Sequence, residues 1–111
     1  MKHYIPHKGD LIAVTFDPQS VHEQKGRRPA LIVSNILFNQ RTGLTFVCPI
    51  TSTDRGYPFH VAVSDDTDVS GFVMVEQLKS IDYRARKATF IGKVSTGVLD
   101  EVLSIVDACI Y

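Results

Sequence analysis

The sequence predicts a mainly β domain: a small, half-open β-barrel with a C-terminal amphipathic helix covering it. Several short runs of β-branched and aromatic residues, separated by turns rich in Gly, Pro, Asp and Asn, indicate the strands. A change to helical spacing among the last apolar residues indicates the helix. The length of 111 residues matches a single domain, residues 1–111, that buries about two-thirds of its surface without disulfides or metal.

The first two predicted strands flank a polar segment. Residues 11–16 are β-branched, apolar or aromatic, follow the turn at residues 9–10, and are ended by Asp17-Pro18. Residues 19–28 have the period of neither a helix nor a strand, so we expect a loop. Pro29 then begins the second strand, which continues to Ser34.

The remaining strands are shorter or carry turn residues. Residues 39–43 are turn-rich, and residues 44–50 form the third strand, in which Pro49 indicates an edge position or the end of the strand. Four further strands are predicted at residues 59–63, 71–75, 78–82 and 88–91, the last two around a basic turn.

The C-terminal residues have the spacing of one amphipathic helix. Its apolar positions are Val98, Val102, Ile105 and Cys109, with Leu99, Leu103, Val106 and Ile110 beside them. Ser95 or Thr96 can cap the N-terminus, and Asp100 and Glu101 suit the positive end of the helix dipole.

Composition excludes several classes of protein. A hydrophobic fraction of 44% excludes a disordered chain, and no apolar run approaches the ~18 residues of a membrane span. The N-terminus lacks the apolar region of a secretory signal. Cys48 and Cys109 do not make a disulfide scaffold and are expected in the core. We therefore expect a soluble, cytoplasmic protein.

The net charge of zero conceals an uneven distribution. Residues 1–56 carry seven Lys or Arg against four Asp or Glu, whereas residues 57–111 carry five against eight. Basic residues cluster at 25–28 and at 84–87. The folded chain can thus present a basic face, although ordinary solvated charge is the alternative.

The polar segment before the second strand holds residue types that suit a phosphodiester. Arg28 presents a planar fork that matches phosphate oxygens. A nearby Glu23 or His22 can accept a proton. The alternative is a solvated connection in which Arg28 forms an ion pair.

Two other segments place polar side chains beside strands. Thr51 and Ser52 can donate to a phosphate oxygen or bond to nearby backbone. Residues 76–82 are polar, and Glu76 or Gln77 can simply satisfy backbone groups. The sequence has no C-x-x-C, H-E-x-x-H or Gly-rich phosphate loop, and its four histidines lack metal-ligand spacing, so neither a metal nor another cofactor is predicted.

These segments, in this order and spacing, resemble the MazF/PemK family of toxin endoribonucleases. The matching pieces are Gly9-Asp10, Asp17-Pro18, Glu23-Gln24-x-Gly26-x-Arg28-Pro29, Pro49-Ile50-Thr51, Gly56-Tyr57-Pro58-Phe59 and Glu76-Gln77-Leu78-Lys79-Ser80-Ile81-Asp82. They extend over residues 9–110, nearly the whole chain.

The resemblance implies an SH3-like barrel of the kind shared by MazF and CcdB toxins. It implies a homodimer that cleaves single-stranded mRNA at short sequences and arrests growth, and a small antitoxin with a disordered, acidic C-terminal segment that inhibits it. It also implies a metal-independent reaction in which the ribose 2′-hydroxyl attacks the adjacent phosphorus. The products then carry a 2′,3′-cyclic phosphate or 3′-phosphate, and a 5′-hydroxyl.

By the same resemblance, Arg28 matches the family's catalytic arginine, Thr51 its threonine and Glu23 its loop glutamate. We expect RNA contacts from His22, Gln24, Lys25, Arg27, Ser52, Gln77 and Lys79. His22 stands where many members have Ser or Gly, and an imidazole there can transfer a proton or stack on a base.

Two other functions remain open on sequence grounds. A CcdB-like gyrase poison would share the fold without nuclease activity, since fold alone does not decide function. An SH3-like interaction module would use the loop at 19–28 to bind a peptide.

Overall fold

The computed structural model describes residues 3–16, 26–63 and 69–111. These residues form seven strands: β1 (Asp10–Thr15), β2 (Arg27–Ile32), β3 (Leu44–Thr51), β4 (His60–Ala62), β5 (Phe72–Met74), β6 (Lys79–Asp82) and β7 (Thr89–Lys93). Helix α1 (Ile36–Thr42) lies between β2 and β3, a 3-10 turn (Val75–Gln77) between β5 and β6, and α2 (Thr96–Ile110) after β7.

All strand pairs of the described residues are antiparallel. The sheet order is β4-β5-β3-β2-β1-β7, and β6 pairs with the first half of β3. No pairing among the described residues joins β4 to β7, so the sheet is not closed. The prediction of a mainly β, half-open architecture with a C-terminal helix is confirmed.

The sheet separates two apolar clusters. One is covered by α2 and the β4–β5 hairpin, and consists of Leu11, Leu31, Val33, Cys48, Ile50, Val61, Val63, Val69, Val73, Val75 and Val102. The other, on the opposite face, consists of Ile12, Val14, Ala30, Ile32, Val47 and Ile81, with Tyr4, Phe16 and Ala88 packed against it. Side chains alternate between these faces along each strand, as strand geometry requires.

The two helices begin and end at recognisable caps. The Ser95 hydroxyl accepts from the Val98 amide at 3.2 Å, which confirms the predicted start of α2. Helix α1 replaces the predicted turn at residues 39–43: the Asn35 side chain caps it, and Gly43 ends it at a φ of 73°. Asn35 and Gly43 are ordinary start and stop signals, but the helix is too short to show a clear period.

The buried carboxylate of Asp10 ties the N-terminal segment to the sheet. It accepts from the Tyr4 hydroxyl at 2.5 Å, the His7 amide at 3.0 Å and the Lys93 ammonium at 2.6 Å. Burial and the hydrogen bond to Asp10 raise the pKa of Tyr4. Asp10 therefore joins residues from before β1 and from β7 at one point.

Pro49 occupies a branch point of the sheet. Of the two predicted positions, an edge is wrong, and the end of the strand lies two residues further on, at Thr51. On one side, β3 pairs with β2 through Ala30↔Pro49. On the other side, its partner is β6 as far as Val47 and β5 from Ile50. Pro49 thus lies where one partner strand has ended and the next has not begun, which a residue without an N–H tolerates.

In the described ranges, no helix is long and apolar enough to span a membrane. Nor do His, Cys, Asp and Glu residues in those same ranges gather into a group that could hold a metal ion.

The two cysteines have different environments. Cys48 is fully buried, as predicted, whereas Cys109 is exposed, so its predicted core position is wrong. Burial, and then the charge of Glu76, raise the pKa of the Cys48 thiol from 9.0 to about 12. Between pH 9.0 and about 12 the unfolded chain ionises this thiol and the folded chain does not, so the free energy of unfolding is unaffected below pH 9.0 and falls as pH rises toward about 12.

We expect the single thiol of a Cys109→Ser variant to resist DTNB at pH 8 in the native state and to react fully in urea. The reactive species is the thiolate, which the raised pKa and the burial of Cys48 both suppress. Absorbance of the released thionitrobenzoate measures the reaction. Complete labelling of the native variant at the rate of the unfolded chain would contradict the assigned environment.

Candidate functional site

A cleft of about 520 Å³ opens where β2 begins and β3 ends. Its lining residues are Arg27, Arg28, Pro29, Ile50, Thr51, Ser52, Thr53, Arg55 and Ser70. The structure thus brings together four residues predicted from separate parts of the sequence: Arg27, Arg28, Thr51 and Ser52. The cleft combines guanidinium and hydroxyl donors, the chemistry that binds phosphate oxygens.

The register between β2 and β3 places Arg28 opposite Thr51. The paired residues are Ala30↔Pro49, Leu31↔Cys48 and Ile32↔Val47. Continuing that register by two residues sets Arg28 across from Thr51, on the same face of the sheet as Ala30 and Pro49. The β2–β3 pair therefore brings to one cleft two side chains that lie 23 positions apart in the sequence.

The Arg28 guanidinium is available to a ligand. Arg28 is exposed and has no hydrogen-bond or ion-pair partner in the part of the chain that the structure describes. Its fork can therefore meet two phosphate oxygens without breaking a contact to any of the described residues.

The Thr51 hydroxyl is oriented by the backbone of the following loop. Its Oγ1 accepts from the Thr53 amide at 3.2 Å. A hydroxyl has one proton and two lone pairs, so accepting this bond leaves the Thr51 proton free to be donated. Thr51 is thus positioned as a donor into the cleft.

Gly71 supports Thr51 from the neighbouring strand. Its φ is 133°, and a Cβ built on it would overlap the Thr51 carbonyl. Only a glycine lets the backbone before β5 approach the end of β3 this closely. Gly71 thereby helps fix the position of Thr51 relative to β5, where Thr51 pairs with Phe72.

Arg27 differs sharply from its neighbour Arg28. Its Nη2 donates to the Ala13 carbonyl, the Lys87 carbonyl and Thr89 Oγ1, each at 3.0 Å. Its Nη1 donates to Thr15 Oγ1 at 3.3 Å. The second strand starts at Arg27 rather than at the predicted Pro29, and strand alternation directs these two arginines to opposite faces.

Arg86, from the predicted basic turn, also has a structural role. Its guanidinium donates to the Phe16 carbonyl and, at 3.5 Å, to the Thr15 carbonyl. Its own carbonyl accepts from the Thr15 amide at 3.0 Å. The end of β1 is therefore fastened to the turn before β7.

The other predicted site residues are not in the cleft. Gln77 is exposed on the 3-10 turn. Lys79 places its ammonium 4.9 Å from the centre of the Phe16 ring, a cation–π geometry. The positions of His22, Glu23, Gln24 and Lys25 lie outside the described residues.

Two features of this region were not predicted. Arg55 lines the cleft. The sequence gives only a weak indication of this position, a basic residue in the polar loop after β3. His60 lies next to Glu76, with Nε2 and Oε2 2.9 Å apart, although only 3% of its side chain is exposed. The Tyr57 ring packs against His60, with ring centres 5.1 Å apart, and this contact anchors the loop that carries Arg55.

The chain matches a family model over residues 7–110, described as the PemK-like, MazF-like toxin of type II toxin–antitoxin systems. It is 44% identical over 92 residues to the endoribonuclease toxin MazF of Escherichia coli (strain K12), which covers 83% of this chain and 82% of that protein. It is 40% identical over 104 residues to the endoribonuclease toxin ChpB of the same strain, which covers 86% of each.

Solved structures show the same similarity. The crystal structure of MazF (Form-I) from Deinococcus radiodurans has a TM-score of 0.87 at 40% identity, over 97% of this chain and 98% of that one. The crystal structure of MazE-MazF (Form-II) from the same organism has a TM-score of 0.86 at 35% identity, over 97% of each chain.

We expect the two adjacent arginines to differ in their contribution to stability. Arg27→Ala removes several charge-assisted hydrogen bonds and should lower the free energy of unfolding by about 1–3 kcal/mol. Arg28→Ala removes an exposed side chain that has no partner among the described residues, and should change it by less than about 0.5 kcal/mol. Urea unfolding followed by circular dichroism measures the free energy of unfolding of both variants. Equal losses in Arg27→Ala and Arg28→Ala would contradict the expected difference.

Proposed function

Because the chain belongs to the PemK-like, MazF-like family of type II toxins, we propose that it is an endoribonuclease toxin that cleaves single-stranded mRNA and arrests growth. The activity named for its relatives is that of endoribonuclease toxins. The observation that carries the proposal is that Arg28 and Thr51 line the same open, polar cleft.

In the proposed reaction, the ribose 2′-hydroxyl attacks the adjacent phosphorus. A new P–O2′ bond forms, the P–O5′ bond breaks, and the leaving 5′-oxygen takes up a proton to become a hydroxyl. The product end is a 2′,3′-cyclic phosphate, which water opens to a 3′-phosphate. Every step uses groups of the RNA, the protein and water, so the proposal includes no metal.

Arg28 and Thr51 would act on the charge that builds in the transition state. Negative charge accumulates on the non-bridging oxygens of the five-coordinate phosphorus, where preorganised donors stabilise it most. The Arg28 fork, which has no partner among the described residues, and the Thr51 hydroxyl, which accepts only from the Thr53 amide there, suit this role. Glu23 is the first candidate for the base that removes the 2′-hydroxyl proton, and His22 the second.

The gyrase-poison alternative is not favoured. The relatives in sequence are endoribonucleases. A gyrase-binding protein would also have no need for a cationic fork near a hydroxyl where β2 begins and β3 ends.

An antitoxin is the proposed protein partner. A solved relative with 35% identity is a MazE-MazF complex. The exposed cations of the cleft, Arg28 and Arg55, suit a partner with an acidic segment, as they suit RNA phosphates. We also propose that the chain acts in the cytoplasm as a homodimer.

We expect the protein to cleave single-stranded RNA in the presence of EDTA. Arg28→Ala should abolish cleavage, Arg28→Lys should restore little because one ammonium cannot replace the fork, and Thr51→Val should lower the rate by about 10²–10³-fold. End-mapping of the fragments should find 5′-hydroxyl ends. The matched control is Arg41→Ala, an exposed arginine in the last turn of α1, remote from the cleft.

Near-normal cleavage by Arg28→Ala would refute the assignment of that residue. Cleavage that disappears in EDTA, or fragments with 5′-phosphates, would refute the reaction.

A second expectation is that a peptide with the acidic C-terminal sequence of the cognate antitoxin competes with RNA. Both ligands should lose affinity for Arg28→Ala, because they share one cationic surface, and association should slow as salt rises. Fluorescence anisotropy of labelled RNA measures the competition. Simultaneous binding of both at full affinity would count against a shared surface.

A further inference from the structure

We propose that Arg27 is a positioning residue that holds the start of β2 so that Arg28 faces Thr51, rather than a ligand of RNA phosphates. The inference rests on the proposed function and deepens it. It also replaces the expectation that Arg27 contacts RNA.

The hydrogen bonds of Arg27 reach two other strands, β1 and β7, and the turn between β6 and β7. Ala13 and Thr15 belong to β1, Thr89 begins β7, and Lys87 lies in the turn immediately before it. One guanidinium therefore fixes the first residue of β2 to two successive neighbours in the sheet.

The start of β2 needs this attachment because it is paired on one side only. The ladder to β1 includes Arg27 and Arg28, through Thr15↔Arg27 and Val14↔Arg28. The ladder to β3 begins two residues after Arg28, at Ala30. The open side is the cleft itself, so no strand holds Arg28 from the direction in which it meets RNA.

The geometry of the guanidinium argues against a phosphate contact. An arginine grips a phosphate bidentately through Nη1 with Nη2, or through Nε with Nη2. Both edges require Nη2, and its two hydrogens already serve three acceptors. A bidentate phosphate contact would have to break these bonds.

The proposal is tested by removing the contacts in two ways. Arg27→Gln removes the charge together with the hydrogen bonds. The double variant Thr15→Val with Thr89→Val keeps the charge of Arg27 and removes two of its acceptors. Arg41→Gln is the control for an exposed arginine elsewhere.

We expect both altered proteins to lose about 10–100-fold in single-turnover rate at saturating RNA, the scale of a misplaced catalytic group. Their affinity for RNA with a 2′-deoxy group at the cleavage site should stay within about twofold of that of the wild type. The loss of a single phosphate contact would lower this affinity by more than that at low salt. The slope of log Kd against log salt should not change. Hydrogen–deuterium exchange at residues 27–29 should quicken, and exchange in α2 should not.

An RNA affinity that falls in Arg27→Gln, with a salt slope reduced by about 0.7 and an unchanged saturated rate, would make Arg27 a phosphate ligand and overturn the proposal. Unchanged exchange at residues 27–29 in both altered proteins would also overturn it. Wild-type protein that cleaves no RNA would refute the proposed function instead, and the exchange measurement would still decide whether Arg27 holds β2.

Discussion

The antiparallel register between β2 and β3 is the constraint on which the candidate site depends. It sets Ala30 opposite Pro49, and Arg28 and Thr51, each two residues beyond this last pair, both line the cleft that opens there. A slip by one residue would turn every side chain of β2 to the other face, move Ala30 and Ile32 out of their apolar cluster, and separate Arg28 from Thr51. Core packing and the chemistry of the cleft therefore select the same register.

The two arginines at the start of β2 show how strand geometry separates structural and chemical roles. Both arginines line the cleft, but adjacent residues in a strand point to opposite faces, so the Arg27 guanidinium reaches across β1 to the Ala13 carbonyl while Arg28 is exposed. The first is saturated with internal acceptors, and the second has none among the described residues. Composition gives no indication of this difference, since both are simply members of one basic cluster.

The sequence was sufficient for the strands, the C-terminal helix and four of the residues that line the cleft, Arg27, Arg28, Thr51 and Ser52. Strand runs and the helical period of α2 are strong local signals, and the motif pieces around Arg28 and Thr51 are specific. Predictions from the sequence were wrong where contacts between distant residues determine the structure. These cases are the short helix α1, the central position of Pro49 and the exposure of Cys109. The attachment of Arg27 to Lys87 and Thr89 joins residues at least 60 positions apart, which no local pattern encodes.

Gly71 restricts the amino-acid sequences that can form the cleft. Because any side chain there would collide with the carbonyl of Thr51, the position is closed to all L-amino acids unless the end of β3 moves. A residue that touches no substrate thus limits the sequences compatible with the cleft. The β4–β5 hairpin pairs with the end of β3 through β5. A change in the curvature of the hairpin would therefore move the Thr51 hydroxyl relative to Arg28.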